Sequence, residues 1–408
     1  MSLPSSACGL SVAQRPSVQI MPGRDRRLRS GHPWAFSNEV RMDEATRRLA
    51  PGTVARLLGS EGQDLGAVLF HPNTLISARL LGVPGDSPID RGWFSERLAR
   101  AMAWRDRLYD RPFYRLIHAE ADGLPGLVVD RFDRCVVVQA NCAGMDRLLP
   151  ELLSALEETC APEIIIARND SAVRGLEGLP ERVEALKGVV GDSHPIVVEE
   201  NGACFFADPL GGQKTGWFYD QRDNRAFIAG MCGGARVLDL YCYAGGFAVT
   251  CARKGAVSVL AVDRSAHALE LTARAAAENG VADRCETRRA EAFAELERLA
   301  SLGERFDVVI ADPPAFVKSR KDVAVGSRAY RKLTRLAARV TAPGGFLLMA
   351  SCSHHIEPAV FAEQTARGLV DAGRTGRILR FAGAAPDHPV HPLLPESAYL
   401  KAIVFHLD

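Results

Sequence analysis

Two short segments hold the residues best suited to covalent chemistry. One is Asp312-Pro313-Pro314-Ala315-Phe316, directly after the apolar run Phe306–Ala311. The other is Ser351-Cys352-Ser353-His354-His355, directly after the apolar run Gly345–Ala350. An acid and two prolines at a strand's C-terminal end give a rigid loop, at the crevice where open α/β sheets bind ligands. Acceptors fixed there can hold the amino group and ring nitrogen of a base. A cysteine ending the next strand points into the same crevice. Most cysteines are small core residues, and that reading suits most of the other nine here. Cys352 instead sits in a polar loop, where a neighbouring imidazole would favour the thiolate. A thiolate is the nucleophile required to add to C6 of a pyrimidine and make C5 carbanion-like. Asp312 and Cys352 form the candidate catalytic pair.

A second constellation lies upstream, in Val237-Leu238-Asp239-Leu240-Tyr241-Cys242-Tyr243-Ala244-Gly245-Gly246-Phe247. An apolar strand ends in an acid, and a glycine-containing loop opens a helix. Glycines at such a turn let backbone approach a ligand closely. Another strand ends in Val262-Asp263, 24 residues after Asp239, near the spacing at which a carboxylate reaches ribose hydroxyls. With only two adjacent glycines, this is not the dinucleotide fingerprint. No phosphate-binding Gly-x-x-x-x-Gly-Lys-Ser/Thr loop occurs in the chain. The expected cofactor therefore lacks phosphates.

Both constellations need an α/β frame. After Arg236 the pattern predicts strands at Arg236–Leu240, Val257–Val262, Phe306–Ala311 and Gly345–Ala350. Helices are expected at Phe247–Arg253, Ser265–Asn279, Glu291–Ala300, Arg328–Thr341 and Glu357–Ala372. Apolar runs between amphipathic helices mean a mostly parallel sheet covered on both faces. A last strand, Tyr399–His406, follows a loop rich in Pro and His. From Ser17 to about Gly92, short β-rich segments (Val18–Met21, Thr53–Leu58, Gly66–Phe70, Ile76–Leu80) broken by Gly and Pro predict a small barrel or sandwich. Between them, Trp93–Tyr109 and a stretch near Met145–Thr159 read as helices. Gly126–Asp130, Cys135–Asn141 and Ile164–Ala167 read as strands.

The 408 residues fit two or three domains, and 47% apolar with 24% charged residues is ordinary for a soluble globular chain. A net charge of +1 announces no nucleic-acid partner by itself. Residues 1 to 60, however, hold nine arginines, no lysine and four acids, with Arg24, Arg26, Arg27 and Arg29 clustered. These four are candidate phosphate contacts, with Trp34 or Phe36 available for packing or stacking. The alternative is a solvated face, with both aromatics in a barrel core. Ten scattered cysteines without a Cys-x-x-Cys pair give no metal site and read as reduced thiols. No apolar run reaches membrane-spanning length, and residues 1–16 lack the features of a signal peptide. A cytoplasmic location and a loose N-terminal tail are expected.

Together these motifs resemble the bacterial ribosomal RNA large-subunit methyltransferase I family, the 23S rRNA cytosine-C5 methyltransferases. Four segments carry the likeness: Arg29-Ser30-Gly31-His32-Pro33-Trp34-Ala35-Phe36; Gln213-Lys214-Thr215-Gly216-Trp217-Phe218-Tyr219-Asp220-Gln221-Arg222-Asp223-Asn224-Arg225; the Tyr-Ala-Gly-Gly-Phe loop; and the Asp-Pro-Pro and Ser-Cys-Ser pair. The resemblance implies a PUA domain over 17–92, a central α/β domain over 93–191, and a class I, Rossmann-like methyltransferase domain over 192–408. It implies S-adenosyl-L-methionine as cofactor and 23S rRNA as partner, and a homodimer is compatible with it. Tyr219, Asp220 and Arg222 would lie near the methionine end of the cofactor. Asp239, Tyr243, Ala244, Gly245 and Gly246 would form its loop, and Asp263, with Arg264 and Ser265, would meet the ribose. Glu291 and Ala292 would border the adenine, with Glu291 standing where the family often has Asp. Asp312 would hold the cytosine beside the cofactor, Cys352 would be the nucleophile, and Phe316 and Lys318 would meet RNA. Two other readings stay open. A purine nitrogen methyltransferase uses an Asp/Asn-Pro-Pro-aromatic loop and no cysteine, but here Phe316 comes one position later. A non-catalytic RNA-binding protein would keep only the pocket, and the intact Asp312 and Cys352 argue against it.

Overall fold

The computed structural model describes residues 15–189 and 195–408. Most of the expected tail and the boundary expected at 191 lie outside the described residues. The chain separates into two compact units, Met1–Val190 with Pro389–Pro395, and Gly191–His388 with Glu396–Asp408.

The first unit holds two five-stranded sheets. The elements of the first are β1 (Ser17–Gln19), α1 (Arg26–Arg29), β2 (Trp34–Phe36), α2 (Glu44–Arg47), β3 (Thr53–Leu58), β4 (Asp64–Phe70) and β5 (Ile76–Leu80), with strand order β1-β3-β4-β5-β2. Alternation along β3 turns Ala55 and Leu57 inward onto Val18, Val68 and Phe70. A bridge from Ile20 to Val40 joins the chain after β1 to the chain after β2, bringing the two edges together as in a small barrel. Next come α3 (Arg91–Arg105), β6 (Phe113–His118), β7 (Leu127–Phe132), β8 (Cys135–Ala140), α4 (Ala143–Arg147), α5 (Leu149–Cys160), β9 (Ile164–Asn169), α6 (Val173–Leu176) and β10 (Arg182–Lys187). Their sheet runs β10-β9-β8-β7-β6, and its core also takes in Ala67, Leu69 and Leu81 from the β4–β5 region. The sequence pattern did not reveal β2, β6 or β10. β10 is an edge strand with mostly exposed side chains, so it carries no apolar run.

The second unit opens with the hairpin β11 (Ile196–Glu200) and β12 (Ala203–Ala207), followed by α7 (Arg222–Ala229). Then come β13 (Arg236–Leu240), α8 (Gly246–Arg253), β14 (Ser258–Asp263), α9 (Ala266–Glu278), β15 (Cys285–Arg289) and α10 (Ala292–Ser301). The unit ends with β16 (Phe306–Ala311), α11 (Val323–Val340), β17 (Thr341–Ser351), α12 (Pro358–Asp371), β18 (Gly376–Ala382) and β19 (Lys401–Leu407). The seven-stranded order is β15-β14-β13-β16-β17-β19-β18, parallel as far as β17 and antiparallel at β19 and β18. Central strands are mostly apolar because both faces are covered. Leu238 and Leu240 share a core with Leu296, Leu333 and Phe361 of α10, α11 and α12. The order reverses between β13 and β16, since the chain builds outward through β14 and β15 and then returns to the other side of β13. That switch point opens a crevice at the strands' carboxyl ends. Registers Leu240↔Val262, Leu240↔Ala311 and Ala311↔Met349 bring the loops after β13, β14, β16 and β17 to one edge. The edge strands β15 and β18 escaped the sequence pattern, β15 being largely polar and β18 exposing Ile378, Leu379 and Phe381.

Candidate active site

The loop after β13 is built from strained backbone. Tyr241 and Tyr243 have φ of 61° and 47°, a left-handed region that costs bulky residues on the order of 1–3 kcal/mol each. Surrounding bonds enforce it. Cys242 N donates to Val262 O at 3.1 Å, Gly245 N to Cys242 O at 2.9 Å, and Thr272 Oγ1 to Tyr243 O at 2.8 Å. Asp263 completes the frame, accepting from Tyr243 N at 3.1 Å on one oxygen and from Ser265 N at 2.9 Å on the other. Each oxygen retains a lone pair for a ribose hydroxyl. Ser265 also caps α9 through Ala268 N, while Arg264 is exposed.

The two glycines of this loop are closely packed. Gly245 has φ +79°, and a Cβ there would meet Thr272 Cγ2 at 2.8 Å. A Cβ on Gly246 would meet Arg225 Cδ at 3.0 Å. Packing against α9 and α7, together with the left-handed turn at Gly245, favours glycine at both positions.

Asp239 is buried. One of its oxygens accepts from Ala248 N at 2.9 Å, and the other has no hydrogen-bond partner among the described residues. Burial, then the carboxylates of Asp312 and Asp263, push its pKa well up. An unmatched buried acceptor calls for a donor. A cluster of carboxylates suits a ligand with ammonium and hydroxyl groups and repels phosphates. The cofactor implied by the sequence resemblance, with its ammonium and sulfonium, fits this site.

Tyr219 and Asp220 lie on the turn leading into α7 and Arg222 begins that helix, all three buried. Asp220 accepts from Tyr399 Oη at 2.5 Å, and its charge raises both Asp312 and Cys352. Arg222 lies 5.2 Å above the Tyr219 ring, with Nε 3.5 Å from Glu200. Two residues of the same run were missed. Arg225 binds Glu200 with two nitrogens, at 2.5 and 2.9 Å, and its charge lowers Asp239 and Asp312. Gln221 helps hold the Asp312 pKa down. Their place within the Asp-Gln-Arg-Asp-Asn-Arg run was the available signal. Glu291 is exposed at the start of α10, with its charge acting on Tyr241, and Ala292 is buried beside it.

Asp312 and Cys352 end adjacent parallel strands. Burial, then Asp220, push Asp312 up to about 7, against the opposing pull of Arg225, Gln221 and Lys214. Burial also raises the Cys352 thiol, and Lys214 is first among the groups that favour its thiolate. The expected imidazole does not play that part. The His354 ring stacks on Tyr399 at 5.2 Å, and burial and Lys401 lower its pKa, leaving it neutral. Lys214 occupies a left-handed turn, φ 50°, with its ammonium 4.8 Å above the Phe218 ring. Tyr243 pins this loop by accepting from Gln213 N and donating to Gly216 O, both at 3.2 Å. Phe316 packs 4.8 Å from Tyr330 and 6.1 Å from Phe293, while Lys318 is exposed.

In the first unit, Arg24 and Arg26 are exposed. Arg27 binds Glu39 at 2.7 Å and Trp34 O at 3.1 Å and covers Phe36, so it holds the barrel together. Arg29 lies 3.5 Å from Asp25. Trp34 donates to Glu120 at 2.8 Å. Among the described residues, no cluster fit for a metal ion occurs and no helix is long and apolar enough to cross a membrane.

A family model for S-adenosylmethionine-dependent methyltransferases matches residues 166–406, and one for a PUA-like domain matches residues 18–82. The chain is 36% identical to the ribosomal RNA large subunit methyltransferase I of Aeromonas hydrophila, over 95% of this chain and 98% of that one. It is also 36% identical to the protein of the same name from Vibrio cholerae, again over 95% and 98%. A Streptococcus mutans protein described as a SAM-dependent methyltransferase has the same fold, with TM-score 0.79 at 18% identity over 96% of this chain and 100% of that one.

Proposed function

This chain belongs to the ribosomal RNA large subunit methyltransferase I family of S-adenosylmethionine-dependent methyltransferases, and from that premise we propose that it methylates C5 of a cytosine in 23S rRNA, in the cytoplasm, with Cys352 as nucleophile. The observation carrying this reading is the pairing of Asp312, its acid poised at about 7, with a cysteine on the adjacent strand end. S-adenosylmethionine supplies an electrophilic methyl group when bound. Asp263 takes its ribose hydroxyls, Asp239 its ammonium, Tyr219, Asp220 and Arg222 border the methionine end, and Glu291 and Ala292 the adenine.

Cytosine C5 is too poor a nucleophile to be methylated unaided. Addition of the Cys352 thiolate to C6 moves electron density onto C5 and splits one hard step into easier ones. Protonated Asp312 donates to N3 and accepts from the amino group, stabilising the charge that develops in the ring. Removal of the C5 proton then lets the thiolate leave. The neutral His354 imidazole is our candidate for that base. Arg24 and Arg26, exposed on the PUA-like region, are the proposed phosphate contacts.

The test is a large-subunit RNA fragment carrying 5-fluorocytidine. Fluorine cannot leave as the C5 proton does, so a C6 thiol adduct persists. We expect a covalent protein–RNA species with wild type and none with Cys352→Ala. Methylation of ordinary RNA without any adduct would give the purine-nitrogen reading its place.

A further inference from the structure

Cys352 lies between two fully buried serines, and both turn their hydroxyls to one tyrosine of α11. Ser353 N donates to Ser351 Oγ at 3.3 Å, Ser351 Oγ donates to Tyr330 Oη at 2.7 Å, and Tyr330 Oη lies 2.9 Å from Ser353 Oγ. These bonds close a ring around the Cys352 backbone. Ser353 Oγ also accepts from Val317 N at 3.1 Å, five residues beyond Asp312 in the other catalytic loop. From β19, the buried Lys401 donates to Ser353 O at 2.7 Å and Ile356 O at 3.0 Å.

Tyr330 is itself fully buried, its ring between Phe316 at 4.8 Å and Phe361 at 5.1 Å. Phenylalanine would fill that space without a hydroxyl to desolvate. A buried hydroxyl costs stability unless it is bonded, and this one bonds to the residues on either side of the nucleophile. Through the Ser353 hydroxyl, which it holds and which accepts from Val317 N, Tyr330 also ties the Cys352 loop to the Asp312 loop. We infer that Tyr330 is a positioning residue, whose hydroxyl fixes the Cys352 loop against the Asp312 loop in the geometry needed to attack the base. This inference rests on the nucleophile reading of Cys352 given above.

The test compares Tyr330→Phe, which keeps the ring packing, with Ser351→Ala, which cuts the same ring of bonds from its other side without touching the aromatic core. Turnover on the large-subunit RNA fragment, KM for that RNA, cofactor affinity by calorimetry and the rate of 5-fluorocytidine adduct formation are measured for each. Misplacement of reacting groups by a fraction of an ångström is expected to lower kcat about ten- to a hundredfold. Adduct formation should slow in proportion, while KM and cofactor affinity stay within about twofold. Turnover within twofold of wild type in both variants, beside an inactive Cys352→Ala enzyme, overturns the inference. So does a loss of kcat matched by an equal loss of cofactor affinity, which is the mark of general loosening. An active Cys352→Ala enzyme would instead remove the nucleophile assignment, and the positioning role with it.

Discussion

The two halves of the crevice are built by different means. The half proposed for the cofactor is mostly backbone: two left-handed tyrosines, a helix start, and Asp263 and Asp239 accepting from nearby main-chain N–H groups. The half proposed for the base is mostly side chains that arrive from distant parts of the chain. Lys214 and Gln221 come from before β13, Tyr330 from α11 and Lys401 from β19. A backbone-built site tolerates change in the side chains around it but depends on local conformation. A side-chain-built site holds its reacting atoms only as well as its supports hold each other.

This difference also decides what could be read from the sequence. Val237–Phe247 and Val262-Asp263 are contiguous, so the cofactor half was legible as strand, acid, loop and helix. Asp312 and Cys352 were legible as strand-end residues, and β13 and β16 were placed correctly to the residue. Their supports were not legible, because no local pattern relates Tyr330 to Ser351 or Lys214 to Cys352. Sequence neighbours misled for the same reason: His354 follows Cys352 closely in the chain, yet Lys214 supplies the favourable charge. Edge strands such as β10, β15 and β18 were missed because a half-paired strand buries too little to need an apolar run.

If the halves are functionally separate, substitutions should part binding from chemistry. The largest effect belongs to Cys352→Ala, which should abolish turnover while cofactor affinity, read by calorimetry, stays within about twofold, because only a transition-state role is lost. Asp263→Ala should do the reverse. On the proposed ribose role, losing this carboxylate costs roughly 1.5–3 kcal/mol, about ten- to a hundredfold in affinity. Single-turnover rates at saturating cofactor should stay near wild type, and the fold should persist. Unchanged affinity in Asp263→Ala would remove the ribose assignment. A collapse of affinity in Cys352→Ala would mean that the halves are not separable.

The smallest effect concerns pH and the ionised state of Asp312. Its folded pKa of about 7 lies above the usual carboxylate range, so the native state binds this proton more tightly than the unfolded chain does. The group therefore favours folding at low pH, and that contribution is lost as pH rises from about 4 to about 7. In the proposed reaction, cytosine presents an acceptor at N3 beside a donor on its amino group, and a protonated carboxyl matches both. Cys352, raised by burial, is mostly thiol across neutral pH. The proposed productive enzyme then pairs a protonated Asp312 with a Cys352 thiolate. Below about 7 the rate should climb about tenfold per pH unit as thiolate accumulates, and above 7 it should level off as Asp312 loses its proton at the same pace. Asparagine offers the same donor and acceptor but does not ionise. Asp312→Asn should therefore lower the rate only several-fold near neutrality, yet keep climbing straight through pH 7. If the carboxylate were the working form, wild type would instead climb about a hundredfold per unit below 7 and tenfold above it. A steep wild-type limb of that kind would overturn the acid role of Asp312 while leaving Cys352 as the nucleophile.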